Sequence, residues 1–390
     1  MLSLRATTII LTASVGIIGA NSLALGPIAP SIAADLGGST STTLYAAGGY
    51  GLGTALGALT LSPLIDRIGV QRALFGALIA LASCFTASAV TPGISGLIIA
   101  QSLAGLAAGI GLPAIYAYAA EIAPKGQESK ILGRVLVGWT LSLVAGVSLS
   151  SLLADLIHWR LVFGLLSILA LLCGLIVFLS RPPKSERSDI GLQFPLRAFG
   201  LPGVPALLTI CFFFMVTFYG TYAFIGDHIH HTLNLPLRAG GLIAITYGTG
   251  FALASLGDSL IDRHGTRSLM PWVMGMVTLT YALMAGFSGS FAALLILTAL
   301  WGAANHFGLN LVVGSLSALH PSKRGIVLGL NSAVTYLAAS AGAFAFGPLY
   351  ETQGFAMLCG LATVLMVLPV LIGFALRLRP SIPSALNSAD

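Results

Sequence analysis

Twelve stretches of this chain are apolar for long enough to cross a bilayer, and a fold surrounded by water has no place for so many. Crossing about 30 Å of hydrocarbon takes roughly 20 residues of helix. Runs of that kind lie at 6–26, 43–64, 73–91, 96–119, 131–153, 160–180, 204–225, 239–257, 268–288, 291–314, 326–348 and 354–376. Composition agrees: 56% of the 390 residues are hydrophobic and 8% are charged, whereas soluble chains carry about 25% charged residues. Lipid accepts apolar surface and asks only that the backbone satisfy its own hydrogen bonds. Closed barrels also meet that demand, but they read as alternating segments of about ten residues; the continuous runs here read as helices. The first run follows Arg5 and imitates a signal peptide in outline, yet eleven further spans make it a retained first helix. The expected fold is an all-α integral membrane protein of twelve transmembrane helices.

The basic residues orient the spans. With the N-terminus placed inside, Arg5, Arg67, Arg72, Lys125, Lys130, Arg134, Arg181, Lys184, Arg187, Arg197, Arg263, Arg267, Lys323, Arg324, Arg377 and Arg379 fall inside, and only Arg160 and Arg238 fall outside. That asymmetry predicts both termini in the cytoplasm. It also accounts for the net charge of +6 without a nucleic-acid partner. The four cysteines all lie in apolar runs, with neither metal-ligand nor disulfide spacing.

The chain repeats itself. Gly49 to Arg72 parallels Thr246 to Arg267: Tyr50-Gly51-Leu52-Gly53 answers Tyr247-Gly248-Thr249-Gly250, and Ile65-Asp66-Arg67 answers Ile261-Asp262-Arg263, about 197 residues apart. The longest polar connector separates the copies. The expected division is a six-helix half over 1–180, a cytoplasmic linker over 181–203, a second half over 204–378 and a cytoplasmic tail over 379–390. Two halves related by a pseudo-two-fold axis place a solute site near the bilayer midplane between them.

The turns after spans 2 and 8 carry the sharpest local signal. Asp66, Arg67 and Gly69 recur as Asp262, Arg263 and Gly265, and Arg72 follows the first copy. The glycines allow a tight turn with positive φ, and the carboxylates suit a helix N-terminus. Asp66 is expected to face the start of span 11 near Gly325, and Asp262 the start of span 5 near Ser129, as gating contacts. The plainer alternative is a positively charged topology anchor.

These turns, with Ile32 to Gly37, Ala104 to Tyr118 in span 4 and the His158-Trp159-Arg160 opening of span 6, resemble the major facilitator superfamily, in particular its bacterial drug:proton antiporter and sugar-efflux branch. The resemblance runs along essentially the whole chain. It implies a monomeric transporter in the bacterial inner membrane that exchanges a small molecule for protons by alternating access, with no cofactor. Two departures weaken antiport: the Arg that the branch often carries in span 4 is Gln101 here, and Gly146 is followed by Val147-Ser148 rather than proline.

Ionisable groups inside hydrocarbon are functional candidates by default. His306 lies about fifteen residues into span 10, roughly 22 Å along a helix rising 1.5 Å per residue, and histidine titrates in the physiological range. The proton-coupling candidates are His306, Asp227 and Asp35; the carboxylates otherwise read as span ends, connectors or tail. Asn21, Gln101, Tyr219, Trp301, Asn305, His306 and Asn331 are the candidate solute ligands, the amides serving equally as interhelical stitches. Tyr222, Tyr116 and Tyr118 read as interfacial anchors. Asp227 to His231 has ligand types for a metal but closely spaced histidines, so a solvated outer loop is the expectation and no metal site is assigned. Gly138 and Gly146, two turns apart, are candidate sliding contacts.

An uncharged cavity suits neutral or weakly basic drug-like compounds or sugars, since a strongly charged solute would be left unpaired in it. Uptake by symport or facilitation on the same fold is the alternative. No nucleophile, base or metal cluster supports an enzyme, and no phosphate-binding Gly-rich loop supports ATP-driven pumping.

Overall fold

The computed structural model describes residues 3–124, 126–180, 195–320 and 323–378. Of the basic residues named, Lys125, Arg181, Lys184, Arg187 and Arg379 lie outside the described residues, with the linker to residue 194 and the tail, as do the side chains of Asp66 and Ser129. The described chain is helical throughout its spans: α1 Leu4–Leu36, α2 Thr40–Leu56, α3 Val70–Val90, α4 Ile94–Ile122, α5 Glu128–Leu141 with Val147–Leu156, and α6 Arg160–Leu179. The second half has α7 Val204–Asp227, α8 Ala239–Ala254, α9 Thr266–Gly286 and α10 Phe291–Leu319, followed by Arg324–Leu378. Gly354, with φ of 75°, breaks that last segment into α11 and α12. A π-turn, Gly57–Leu61, lengthens α2; another, Ser142–Gly146, joins the two parts of α5. The result is twelve spans in two six-helix halves, with both chain ends on one side, here called the terminus face, and the other the far face.

Two expectations are corrected. The first span does not stop at residue 26: α1 runs through Pro27 and Pro30 and closes at Gly37, whose φ of 72° caps it. Proline removes a helical donor and disfavours this, but packing between the halves overrides it. A Cβ on Gly26 would stand 3.0 Å from Cα of Ala223, and one on Gly226 2.8 Å from Cα of Pro27, so α1 and α7 cross there in backbone contact. The segment expected as a solvated loop is likewise a π-turn, His228–Thr232, that prolongs α7. His228 is buried, stacks on Phe355 and bonds through Nε2 to the Ser288 carbonyl at 2.8 Å.

Glycines close the seams inside each half. A Cβ on Gly105 would lie 2.1 Å from the Tyr50 carbonyl oxygen, and one on Gly302 2.0 Å from that of Tyr247. The repeat thus places α2 on α4 and α8 on α10 by the same device. Between halves, α1 meets α7 at Gly26, α2 meets α11 where Gly51 abuts Ser340, and α5 meets α8 where Gly248 abuts Val144 and Ser148 donates to the Gly241 carbonyl. These contacts lie from mid-span toward the far face, so the far side is the closed one.

Candidate functional site

Where the halves meet at mid-span they leave a small gap. Ser22 and Gly26 of α1, Tyr50 of α2, Tyr219 and Tyr222 of α7 and Tyr336 of α11 line it, with small residues between them. Its volume of about 20 Å³ is room for one water molecule, so a solute enters only as the halves part. No described Asp, Glu, Lys, Arg or His lines it. A second cavity of about 250 Å³, almost wholly apolar, opens between α1, α5 and α6 of the first half and lies apart from this gap.

Behind the α7 wall stands an aromatic cluster. Trp301 is fully buried, with Phe218, Tyr247 and Tyr281 at 5.4, 5.1 and 5.5 Å between ring centroids. Several polar atoms at this depth have no hydrogen-bond partner: the hydroxyls of Tyr222 and Tyr336 and the amide oxygens of Asn305 and Asn331. Burying such atoms unpaired costs roughly 1–3 kcal/mol each, a cost tolerated where a ligand supplies the missing partner.

The candidate ligands divide between the gap and the helix seams. Tyr219 lines the gap. Trp301 backs it, and Asn305 donates to the Tyr247 hydroxyl at 3.0 Å. Asn21 and Gln101 instead face each other inside the first half: Asn21 Nδ2 donates to Gln101 Oε1 at 2.9 Å, and Gln101 Nε2 donates to Ser88 Oγ at 3.0 Å. They join α1, α4 and α3. Tyr222 and Tyr118, expected as interfacial anchors, are buried; Tyr116 accepts a bond from Trp139 Nε1 at 3.1 Å. The repeat signal in Tyr50-Gly51 and Tyr247-Gly248 marked two of the aromatic positions, whereas Tyr336 had no signal beyond its depth.

The ionisable candidates occupy three different settings. Asp35, at the end of α1, pairs with Arg160 at 3.0 Å and accepts from Trp159 Nε1 at 3.1 Å, while Arg160 also donates to the Ala89 and Thr91 carbonyls. It staples the rim of the first half. Asp227 is buried at the far face and accepts hydrogen bonds from Thr40 of α2 and Tyr350 of α11 as well as contacting His231 at 2.8 Å. It therefore ties the halves together. Nearby, Asp155 of α5 pairs with Arg238 ahead of α8 at 3.0 Å and accepts from the Leu237 amide. His306 holds Asp258, which follows α8, at 2.8 Å, and Asn310 reaches both at 3.2 and 3.0 Å. Asp258 was missed in sequence because it sits at the start of a charged turn and reads as connector.

On the terminus face Gly69 and Gly265 take φ of 88° and 78°. Arg67, Arg72, Asp262 and Arg263 are exposed. The expected bridges across the halves from Asp66 and to Ser129 involve side chains outside the described residues. Gly138 and Gly146 of α5 press on α1: a Cβ on Gly138 would lie 2.3 Å from the Thr12 carbonyl oxygen, and one on Gly146 2.8 Å from Ala20 Cβ. Among the described residues no group of three or more His, Cys, Asp or Glu is placed to hold a metal ion.

Comparison with known proteins places this geometry. The family model described as Major Facilitator Superfamily matches residues 11–343. An uncharacterised MFS-type transporter of Bacillus subtilis (strain 168), YwfA, is 27% identical over 365 residues, covering 91% of this chain and 89% of the relative. Among solved structures, a D-xylose–proton symporter superposes with a TM-score of 0.77 at 14% identity, covering 96% of this chain and 97% of that one. A bacterial homologue of the human lysosomal transporter Spinster, solved inward-facing and unoccupied, superposes with a TM-score of 0.76 at 13% identity, with the same coverage of each chain.

Proposed function

The chain belongs to the Major Facilitator Superfamily, and from that premise we propose that it is a secondary active transporter that exports a small, partly apolar, neutral or weakly basic solute in exchange for protons. The observation that carries the solute class is the gap between the halves. Its polar groups are tyrosine hydroxyls, one serine and, just beyond, unpartnered amide oxygens, with an aromatic wall behind. Such a lining offers stacking surface and neutral donors and acceptors, and leaves a fixed ionic charge without a counter-charge. Drug-like compounds rank ahead of sugars because aromatic surface outweighs amides there.

Export and sidedness rest on sequence. The sixteen basic residues on the terminus side support a cytoplasmic terminus face, and the repeated charged turn supports the efflux branch. With that orientation the closed far face is the outer one, the face an exporter keeps shut while it loads. Ionisable groups available for proton exchange are His306, Asp258 and Asp227. Uptake by symport or facilitated diffusion is the second reading. One observation favours it: Gln101, standing where the branch often has an arginine, is bonded to Asn21 and Ser88 and supplies no charge.

Everted vesicles containing the protein, given an acidic lumen and read with a pH-sensitive dye, test the proposal. Chloramphenicol, puromycin, trimethoprim, D-xylose and D-glucose are added singly. Alkalinisation of the lumen by one of them, absent from vesicles lacking the protein, is the expected result. Silence across the panel together with counterflow of a labelled compound moves the assignment to uptake or facilitation.

A further inference from the structure

We infer that Asp258, His306 and Asn310 form the site that takes up and releases the exchanged proton, on the terminus face of the second half and separate from the solute gap. The inference rests on the proton-exchange reading above and names its residues. Three observations carry it. His306 has a side chain only 10% exposed, whereas Asp258, 2.8 Å away, is 47% exposed. A buried imidazole is thus joined to solvent through one carboxylate. The imidazole is otherwise enclosed by aromatic rings, Phe251 at 4.9 Å and Phe307 at 5.7 Å, both nearly perpendicular to it. Finally, Asn310 Nδ2 lies within hydrogen-bond distance of both Asp258 Oδ1 and His306 Nε2.

That arrangement serves two protonation states with one set of heavy-atom positions. In the loaded state the imidazolium donates from Nε2 to Asp258 Oδ1, and the Asn310 amide donates to the same carboxylate; the pair carries no net charge. On release the proton leaves Nε2 for Oδ1, and from that oxygen passes to water at the terminus face. The imidazole is left neutral with its hydrogen on Nδ1, the carboxylate is ionised again, and the Asn310 amide donates to the bare Nε2. The unloaded pair therefore holds one net negative charge, which is tolerated while Asp258 touches water and becomes costly when the face closes over it. Opening of the terminus face thus releases the proton to that side before solute loads. Bound solute offsets the cost of closure over the ionised carboxylate, and the pair is protonated again from the far side once the far face opens. Coupling follows from burial of one carboxylate.

Among the described residues no ion pair joins His306 or Asp258 to a further charged group. Asp262, Arg263 and His264 after α8, Arg267 of α9, Lys323 and Arg324 leading α11, and Lys130 and Arg134 of α5 are all exposed. None of them has a hydrogen bond or ion pair to His306 or Asp258 among the described residues.

The test compares wild type with Asp258→Asn and His306→Gln in the everted-vesicle assay with the same five compounds. Each preparation is also measured for counterflow, which needs transport but no proton gradient. The expected result is a loss of gradient-driven alkalinisation by about tenfold or more in both variants, the size of an ordinary coupling term, with counterflow kept near the wild-type rate. A responding wild type whose variants respond equally overturns the inference and leaves the exchange reading standing. Loss of counterflow together with the proton response makes the triad a packing element and also overturns it. A wild type that responds to none of the five removes the exchange reading itself, and the inference with it.

Discussion

In the first half Gly109 brings α4 so close to α2 that a Cβ there would lie 2.5 Å from the Thr54 carbonyl oxygen. One repeat later, 197 residues on, the same place on α10 is His306. The next turn exchanges Pro113 for Asn310, and across the seam Ser62, which bonds only its own helix at the Ala58 carbonyl, is answered by Asp258. The two seams begin alike, with Gly105 on Tyr50 and Gly302 on Tyr247. Toward the terminus face one stays closed by glycine while the other admits an imidazole, an amide and a carboxylate. Duplication supplied the frame twice; ionisable chemistry was built into one copy. The first half's own amide pair, Asn21 with Gln101, is fully buried and joins α1 to α4, with the Asn21 amide oxygen left unpartnered.

The shared part of the comparison breaks most easily. Gly105→Leu and Gly302→Leu each drive a side chain into backbone at about 2 Å, and neither backbone has room to retreat. Overpacking of this kind costs about 1–3 kcal/mol or more. Both variants are expected to lose folded protein, read as monodisperse yield after detergent extraction. A well-folded Gly302→Leu beside a lost Gly105→Leu would show that the second seam is loose along its whole length, not only at His306.

The far gate offers a second contrast, because its two latches differ in burial. Asp227→Ala leaves Thr40 and Tyr350 without their shared acceptor and removes a bridge between halves. Losing a buried hydrogen-bonded charge costs about 1–3 kcal/mol, enough to shift the gate toward opening by tenfold or more. A cysteine at Ser22, in a background lacking the four native cysteines, is expected to react faster with a membrane-impermeant maleimide added from the far face. An unchanged rate would mean that the glycine crossing of α1 and α7 closes the gate alone.

At the gap the effects are smaller. Tyr336→Phe and Tyr222→Phe each delete one hydroxyl that lacks a protein partner, so stability is expected to hold or rise slightly. Solute affinity falls by about 0.5–1.5 kcal/mol where the hydroxyl meets solute, a few-fold rise in the half-saturating concentration for whichever compound drives alkalinisation. Asn21→Ala is the control within the other half: it breaks the bond to Gln101 and is expected to lower thermal stability more than solute affinity.

The spans were legible in sequence because lipid imposes length and apolarity on each helix separately, and the halves because the repeat survives in Tyr50-Gly51 and Ile65-Asp66-Arg67. What sequence hid was decided between helices. Pro27 ends a helix by local rules and does not end α1, because α7 packs against Gly26 and Pro27. His228 belongs to a polar run and is nonetheless buried on Phe355. Asp258 sits in a connector pattern and still reaches a histidine 48 residues away. Asn21 and Gln101, eighty residues apart, show amide chemistry but not which way it faces. In each case the missing fact was a neighbour brought by tertiary packing.

The smallest expected effect tests whether the second latch is a latch at all. Asp155 and Arg238 join the halves at the far face, yet Arg238 is 54% exposed, and ion pairs that reach solvent contribute about 0–1 kcal/mol. Arg238→Gln removes the charge while the Leu237 amide still donates to Asp155 and Ser148 still bonds Gly241, so the backbone connection persists. The maleimide rate at Ser22→Cys is therefore expected to rise by no more than about fivefold, and the rise should shrink further in high salt, which screens exposed pairs. An increase matching that of Asp227→Ala would show the gate held by two equal latches, and the asymmetry between the buried Asp227 cluster and the pair with an exposed arginine would lose its force.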